Sequence, residues 1–126
     1  LDLQDPGTPV FRGQLEESVT VQGLADRLGV ALDRTPLVIG EGDVKSVAWC
    51  TGAGQGYIDL AADAGVDVYV SGEVSEQTAH VARERNIAFI GAGHHATERY
   101  GVQAVGSLAA AELGLSHEFI DIDNPA

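Results

Sequence analysis

The chain has 126 residues, 44% of them hydrophobic, which is typical of one globular domain with a modest core. Its formal net charge of −12, with only seven Lys and Arg residues, argues against binding nucleic acid or an anionic membrane, because phosphate contacts need clustered cations. Cys50 is the only cysteine, which excludes an internal disulfide and a cysteine-rich zinc site and favours a reducing cytoplasm.

Residues 1–18 contain two prolines, two glycines and no sustained periodicity, so they are predicted to be irregular, with one short strand near Val10–Phe11. Neither a signal peptide nor an apolar run of roughly 20 residues is present, so we expect no membrane segment. Thr20 is a candidate N-cap for an amphipathic helix that Gly29 would end. We therefore predict a single α/β domain over residues 19–126.

From Pro36 onward, apolar runs alternate with helical patterns. Strands are predicted at residues 37–39, 44–50, 67–70, 87–90 and 118–122, and helices at 57–64, 75–85 and 97–113. Strands separated by helices of this length form βαβ units with right-handed crossovers. The sequence therefore predicts an α/β fold with a mostly parallel sheet flanked by helices.

Three loops that follow predicted strands have unusual compositions. They are residues 51–56, 71–75 and 91–98, which are rich in glycine and carry the His and Glu residues discussed below. In an open α/β sheet, ligands bind at the carboxyl ends of the strands. We therefore expect these three loops to converge at one edge of the sheet.

His94 and Glu98 stand four residues apart at the start of the longest predicted helix. If the helix begins early enough, this spacing places an imidazole and a carboxylate on one face, close enough to share a divalent ion. The alternative is an ordinary N-terminal turn in which the histidines form hydrogen bonds and Glu98 complements the helix dipole. Two ligands do not complete a metal site, so both interpretations remain open at this point.

A glycine-rich turn between a strand and a helix, Gly52-Ala53-Gly54-Gln55-Gly56, invites comparison with dinucleotide-binding loops, with Glu73 about 20 residues later. Tyr57 occupies the position of the third small residue, which disfavours a nucleotide-cofactor site. The turn either meets a conformational requirement for glycine or presents backbone amides to a ligand. Glu73 either contacts a substrate, orients a metal ligand or is a solvated loop residue.

Several separated motifs occur in an order that resembles one known family. They are Val47-Ala48-Trp49-Cys50-Thr51-Gly52, Ser71-Gly72-Glu73-Val74-Ser75-Glu76-Gln77-Thr78-Ala79-His80, Gly93-His94-His95-Ala96-Thr97-Glu98-Arg99 and Phe119-Ile120-Asp121-Ile122-Asp123-Asn124-Pro125-Ala126. Over residues 36–126 the chain resembles the C-terminal half of the NGG-one-interacting-factor-three-like family, whose bacterial members are called GTP cyclohydrolase I type 2 homologues.

The resemblance implies half of a site for two divalent metal ions, such as Zn, Mn or Fe, with His94 and Glu98 as ligands. His95 is not expected to be a direct ligand, because similar relatives carry Tyr at this place, and it is instead a candidate substrate-binding residue. The loop residues Gly52, Gly54, Gln55 and Gly56 are expected to face the substrate, and Glu73 is the best-placed candidate acid or base. The family's other ligands, two adjacent histidines and an aspartate, belong to an N-terminal half that these residues do not include.

The function that the resemblance implies is a hydrolase-like reaction in which metal-activated water opens the imidazole ring of guanine. We expect enzymatic activity only when the N-terminal half is present. The alternative is a non-catalytic metal-binding scaffold or regulatory module that assembles into a ring. The implied partners are further copies of the chain in a ring-like homo-oligomer, such as a hexamer, and a small-molecule nucleotide, all in the cytoplasm.

Overall fold

The computed structural model describes residues 2–3 and 7–125 of the chain. The elements are β1 (Asp2–Leu3), β2 (Phe11–Thr20), α1 (Val21–Leu32), β3 (Leu37–Ile39), β4 (Asp43–Cys50), a 3-10 turn (Gln55–Tyr57), α2 (Ile58–Asp63), β5 (Val68–Ser71), α3 (Glu76–Glu84), β6 (Ala88–Gly91) and α4 (His94–Leu113). The α/β class is confirmed. No helix in the described part is long and apolar enough to cross a membrane.

The six strands form one sheet in the order β1-β2-β4-β5-β6-β3. The central strands β4, β5 and β6 are parallel, whereas β1, β2 and β3 join through antiparallel pairings. The prediction of a mostly parallel sheet is therefore wrong at the edges. One reason is that the chain reverses direction between β3 and β4, where Gly40 and Gly42 both adopt positive φ.

The N-terminal prediction also needs correction, because residues 11–18 lie in the ten-residue strand β2 and are not irregular. This strand pairs with β4, with a shift in register between Gln14 and Val19. None of its side chains is fully buried. Its sequence therefore lacks the apolar alternation that would have predicted a strand. Residues 1 and 4–6 of the same predicted segment lie outside the described residues.

Helix α1 begins where the sequence predicts. The side chain of Thr20 accepts a hydrogen bond from the backbone N–H of Gly23 at 3.0 Å, which satisfies one of the free donors at the helix start. The predicted end at Gly29 is wrong, since the helix continues to Leu32 and ends at Asp33 in a left-handed conformation. Leu32 is buried against the sheet, and this packing supports the extra turn.

The core lies on both faces of the sheet, because successive strand residues point to opposite sides. Val68 and Val70 pack on the face that α1 covers, which is called the α1 face below. Tyr69 points to the other face, where α2 and α3 pack, and its ring lies 5.9 Å from that of Phe89. Because β4, β5 and β6 are parallel, the loops that follow them leave the sheet at the same edge.

Helix α4 starts at His94, three residues earlier than predicted, and Ala96 is its buried residue. The strand predicted at residues 118–122 is wrong, because within the described residues this segment has no regular structure and pairs with no strand. It is attached to α4 through side chains instead. Ile120 and Ile122 remain 74% exposed, so their alternation does not correspond to a buried sheet face.

Candidate functional site

The three loops that follow β4, β5 and β6 meet at one edge of the sheet, which confirms the predicted convergence. The backbone N–H of Glu73 donates to the carbonyl oxygen of Gly52 at 3.1 Å, and that of Gly93 donates to Gly72 at 2.9 Å. The N–H of Gly52 donates to the hydroxyl of Thr97 at 3.0 Å. The first turn of α4 is thereby joined to the other two loops.

Gly52 is required at this edge for two independent reasons. Its φ is +62°, a left-handed conformation that residues with a Cβ rarely adopt. A Cβ at this position would also overlap Oε1 of Glu98 and lie 3.1 Å from Nε2 of His94. The missing side chain therefore creates the space that His94 and Glu98 occupy.

The remaining glycines of the loop have different explanations. A Cβ on Gly54 would lie 2.6 Å from the sulfur of Cys50, so packing alone requires a small residue there. The carbonyl of Gly54 also accepts a hydrogen bond from the buried hydroxyl of Tyr69 at 2.7 Å. A Cβ on Gly56 would meet nothing within 4 Å. Gly54 thus has a structural role, and Gly56 lies at the open side of the turn.

Glu73, His94 and Glu98 form a carboxylate–imidazole–carboxylate cluster, called the Glu73–His94–Glu98 cluster below. Nδ1 of His94 lies 2.6 Å from Oε1 of Glu73, and Nε2 lies 3.1 Å from Oε2 of Glu98. An ionised carboxylate only accepts hydrogen bonds, so Nδ1 carries the proton that Glu73 receives. This bond fixes the orientation and tautomer of the ring and leaves Nε2 facing Glu98.

The charge state of His94 follows from the same contacts. The hydrogen bond to Glu73 raises the pKa of His94 above its ordinary value, partial burial opposes this, and the negative charge of Glu98 adds to the increase. As an imidazolium, the ring donates one hydrogen bond to each carboxylate. The cluster therefore places the positive charge of the imidazolium between two carboxylates.

Gln55 is connected to the cluster through Glu73. Its side-chain nitrogen donates to Oε2 of Glu73 at 3.3 Å, so Glu73 is held from two sides. The side-chain oxygen of Gln55 is buried and has no hydrogen-bond partner within the described part of the chain. Buried polar atoms normally have partners, so this oxygen is an exception at the edge of the cluster.

His95, which was expected to contact substrate, is directed to the C-terminal segment. Its Nε2 lies 3.0 Å from Oδ1 of Asp121, and Arg99 donates to the other oxygen of Asp121 at 2.8 Å. These contacts lower the pKa of the Asp121 carboxyl, with the His95 hydrogen bond as the largest cause. The structure thus gives His94 and His95 different partners.

The donor set of the cluster is compatible with part of a divalent-metal site. Nε2 of His94 and the carboxylate of Glu98 are ligands that Zn, Mn and Fe accept, and both are partly exposed. Glu73 lies on the opposite side of the ring, where it orients the ligand. Within residues 2–3 and 7–125, no three His, Cys, Asp or Glu side chains meet in an arrangement that could hold a metal ion.

Two hydroxyl residues at this edge were not identified from the sequence. Thr97 accepts from Gly52 and donates to the carbonyl oxygen of Gly93 at 2.8 Å, and the buried Ser71 donates to the carbonyl oxygen of Gly52 at 3.3 Å. Both stabilise the position of Gly52 beneath the cluster. The available signal was the hydroxyl of Thr97 three residues after His94, on the first helical turn.

Comparison with known proteins places the chain within one family. The family model for Duf34/NIF3 (NGG1p interacting factor 3) matches residues 8–125. A Pseudomonas aeruginosa protein named "GTP cyclohydrolase 1 type 2 homolog" is 52% identical over 126 residues, covering 97% of this chain and 50% of its own length. A Haemophilus influenzae protein of the same name is 50% identical over 121 residues, covering 94% and 48%.

Solved structures give the same result. One described as "Structural genomics, protein ybgI, unknown function" has a TM-score of 0.93 and 45% identity, covering 100% of this chain and 51% of its own. TTHA1606 from Thermus thermophilus has a TM-score of 0.80 and 32% identity, covering 91% and 46%. The chain thus spans about half the length of the curated relatives it matches.

Proposed function

The chain belongs to the Duf34/NIF3 (NGG1p interacting factor 3) family, and from this premise we propose that it supplies part of a divalent-metal site for a hydrolase-like reaction. The relatives' name, GTP cyclohydrolase 1 type 2 homolog, indicates a candidate reaction. In that reaction water attacks the imidazole ring of guanine, the ring opens and formate is released. The proposal concerns the whole protein, because this chain spans about half the length of its curated relatives.

The observation that carries the proposal is the Glu73–His94–Glu98 cluster on Gly52. His94 would release its Nε2 proton and present the lone pair of that nitrogen, beside the carboxylate of Glu98. Glu73 accepts the hydrogen bond that Nδ1–H of His94 donates and thereby keeps the ring in the binding orientation. His94 and Glu98 are thus the proposed ligands, and Glu73 is proposed as a positioning residue in place of the acid or base.

The complete site would contain two divalent ions, Zn, Mn or Fe, with further donors from outside this chain. When bound, such ions lower the pKa of a coordinated water and polarise the substrate. Gln55 and the rim of the 51–56 loop would contact the substrate near the ligands. We further propose a cytoplasmic location and a ring-like homo-oligomer, such as a hexamer, with a nucleotide as the small-molecule partner.

A second candidate function is a metal-binding scaffold or regulatory ring without turnover. The apolar residues of α4 that remain exposed, among them Val105 at 68% and Leu108 at 64%, suit assembly into a ring, which both candidates share. The scaffold is also compatible with a cluster that offers two donors. Metal binding is common to both candidates, so only turnover distinguishes them.

The experiment that tests the proposal measures formate release from GTP by a form of the protein with the length of its curated relatives. The rate is measured after chelation and during titration with Zn, Mn or Fe. A hydrolase releases formate at a rate that rises with bound metal and falls when Glu98 is replaced by Gln. Metal occupancy without formate release would overturn the hydrolase assignment and favour the scaffold.

A further inference from the structure

A solvent-open cavity of about 460 Å³ lies between α1, β2 and the α1 face of the sheet, and is called the α1 cavity below. Packed interiors rarely contain voids much larger than one water molecule. Sites for small organic molecules measure roughly 300–1,000 Å³ and are mostly apolar. The α1 cavity therefore has the size of a binding site and exceeds that of a packing defect.

The walls of the α1 cavity are apolar and uncharged. Leu24, Leu28 and Leu32 of α1 face Val47 and Val70 of the sheet, and among the residues that the structure describes no Asp, Glu, Lys, Arg or His side chain contributes to the lining. Transferring a charged group from water to such walls is costly without a partner. The cavity thus accepts an uncharged ring, and a charged group such as a triphosphate stays outside it.

Trp49 gives the cavity an aromatic wall. Its ring is half-buried on the α1 face and stacks on Phe11, with ring centroids 5.9 Å apart and planes 21° from parallel. Indole rings form favourable offset stacks with other flat rings. Trp49 is also the only tryptophan of the chain. A flat aromatic or heteroaromatic molecule is the ligand that matches this wall.

The lining of the cavity also includes three hydroxyl residues next to the Glu73–His94–Glu98 cluster. They are Thr51, Ser71 and Thr97. Thr51 directly precedes Gly52, and Thr97 accepts the Gly52 N–H while belonging to the same helical turn as His94. A ligand in the cavity would therefore have its polar edge at the loop that separates it from the cluster.

We propose that the α1 cavity binds the uncharged, flat aromatic or heteroaromatic ring of a small molecule, with the polar edge of the ring at Thr51. Its use as the substrate recess of the neighbouring cluster rests on the proposed function. The ring system of the substrate lies against Trp49, and any charged part of the molecule remains outside the cavity. Binding of the ring does not require metal, so it is testable separately.

The test uses the ¹⁵N- and methyl-labelled chain in EDTA, with indole as the probe. We expect indole to shift the Trp49 indole N–H resonance in a saturable manner and to give intermolecular NOEs to Leu28 methyl groups. Absence of a saturable shift, equal binding of the non-aromatic cyclohexanol, or NOEs to Val105 and Leu108 of α4 would each overturn the proposal.

A matched pair of variants on α1 supplies the control. Leu28→Phe fills the cavity and should weaken indole binding at least about tenfold, whereas Val30→Phe, at an 87% exposed position, should leave it unchanged. If Leu28→Phe does not fold, the wild-type NOEs still decide. Loss of indole binding with intact metal occupancy would remove only the recess, whereas intact indole binding without metal occupancy would remove only the proposed function.

Discussion

Glu73 accepts a hydrogen bond from Nδ1 of His94 at 2.6 Å, although the two residues are 21 positions apart and lie in different loops. The opposite ring nitrogen faces Glu98 at 3.1 Å. An imidazole held in this way has one defined tautomer when neutral, with its lone pair on Nε2. Such carboxylate–histidine pairs orient metal ligands and raise their basicity.

Replacing Glu73 with Gln should lower metal affinity by about 10-fold to 100-fold, because the amide no longer fixes the His94 tautomer through a charged acceptor. Isothermal titration with Zn or Mn measures the change. Glu76→Gln is the matched control, since the Glu76 side chain is 93% exposed at the start of α3. Equal affinities in wild type and Glu73→Gln would contradict the positioning role.

Gly52→Ala should abolish metal binding, and Gly65→Ala should not. Both glycines have left-handed φ, +62° and +69°, so either substitution costs on the order of 1 kcal/mol in backbone strain. Only at Gly52 does the new Cβ meet Glu98 and His94, whereas at Gly65 it meets nothing within 4 Å. Thermal unfolding and metal titration of both variants separate strain from steric displacement, and equal metal affinity would refute the steric explanation.

His94→Ala and Glu98→Ala should each reduce metal occupancy far more than His95→Ala. The first two remove proposed donors, whereas His95 is directed to Asp121. Native mass spectrometry or inductively coupled plasma mass spectrometry on a form with the length of the relatives gives the metal content. Similar losses in all three variants would remove this assignment of ligands.

Asp67 should make stability depend on acid pH. Burial raises the pKa of its carboxyl, but hydrogen bonds from the backbone N–H groups of Ser46 and Lys45 and from the Ser46 hydroxyl lower it further, to below its ordinary value. A pKa that folding lowers stabilises the fold above the unfolded value, about 3.9, and this contribution disappears as pH falls through the folded value.

Asp67→Asn should therefore reduce the free energy of unfolding at pH 7 by about 1 kcal/mol, a modest value because the carboxylate is solvent-accessible. The difference from wild type should shrink as the pH falls below about 3.9. Urea unfolding across this range measures it. Asp26→Asn is the control, since Asp26 accepts a hydrogen bond from the side chain of Gln22 on the exposed face of α1. A difference independent of pH would contradict the argument.

Self-association should depend on the exposed apolar side chains of α4. Val102, Val105 and Leu108 are 59%, 68% and 64% exposed, and patches of this kind are usually covered in assemblies. The double variant Val105→Lys/Leu108→Lys should have a lower sedimentation-derived mass than wild type. Val30→Lys, on α1, is the control. A monomeric wild-type chain at high concentration would count against the predicted oligomer.

The parts of the fold that the sequence predicts are those with local signals. β3 has the predicted bounds, and β5 and β6 are within one residue at each end, because these strands are short apolar runs bounded by helices or turns. The strand predicted at residues 118–122 and the long strand β2 depend on whether a pairing edge is present. Strand pairing is a long-range property, and alternation alone does not determine it.

The candidate site shows the same division. The spacing of His94 and Glu98 is a local signal, and the early start of α4 meets the condition for both to share one helix face. The contact of Glu73 with His94 joins two loops through the parallel order of β5 and β6, which only the assembled sheet establishes. The space left by the missing side chain of Gly52 is likewise evident only in the folded structure, where Glu98 and His94 approach this residue.

The frame of this edge consists of backbone atoms. A Cβ on Gly72 would lie 2.6 Å from the carbonyl oxygen of Gly52, so both positions tolerate little change. Ala53, Gly56 and Val74 on the same loops are exposed, and their side chains can vary freely. A saturation library should therefore show a sharply uneven tolerance map, and protein engineers could redesign the rim, and with it substrate preference, while keeping the frame intact.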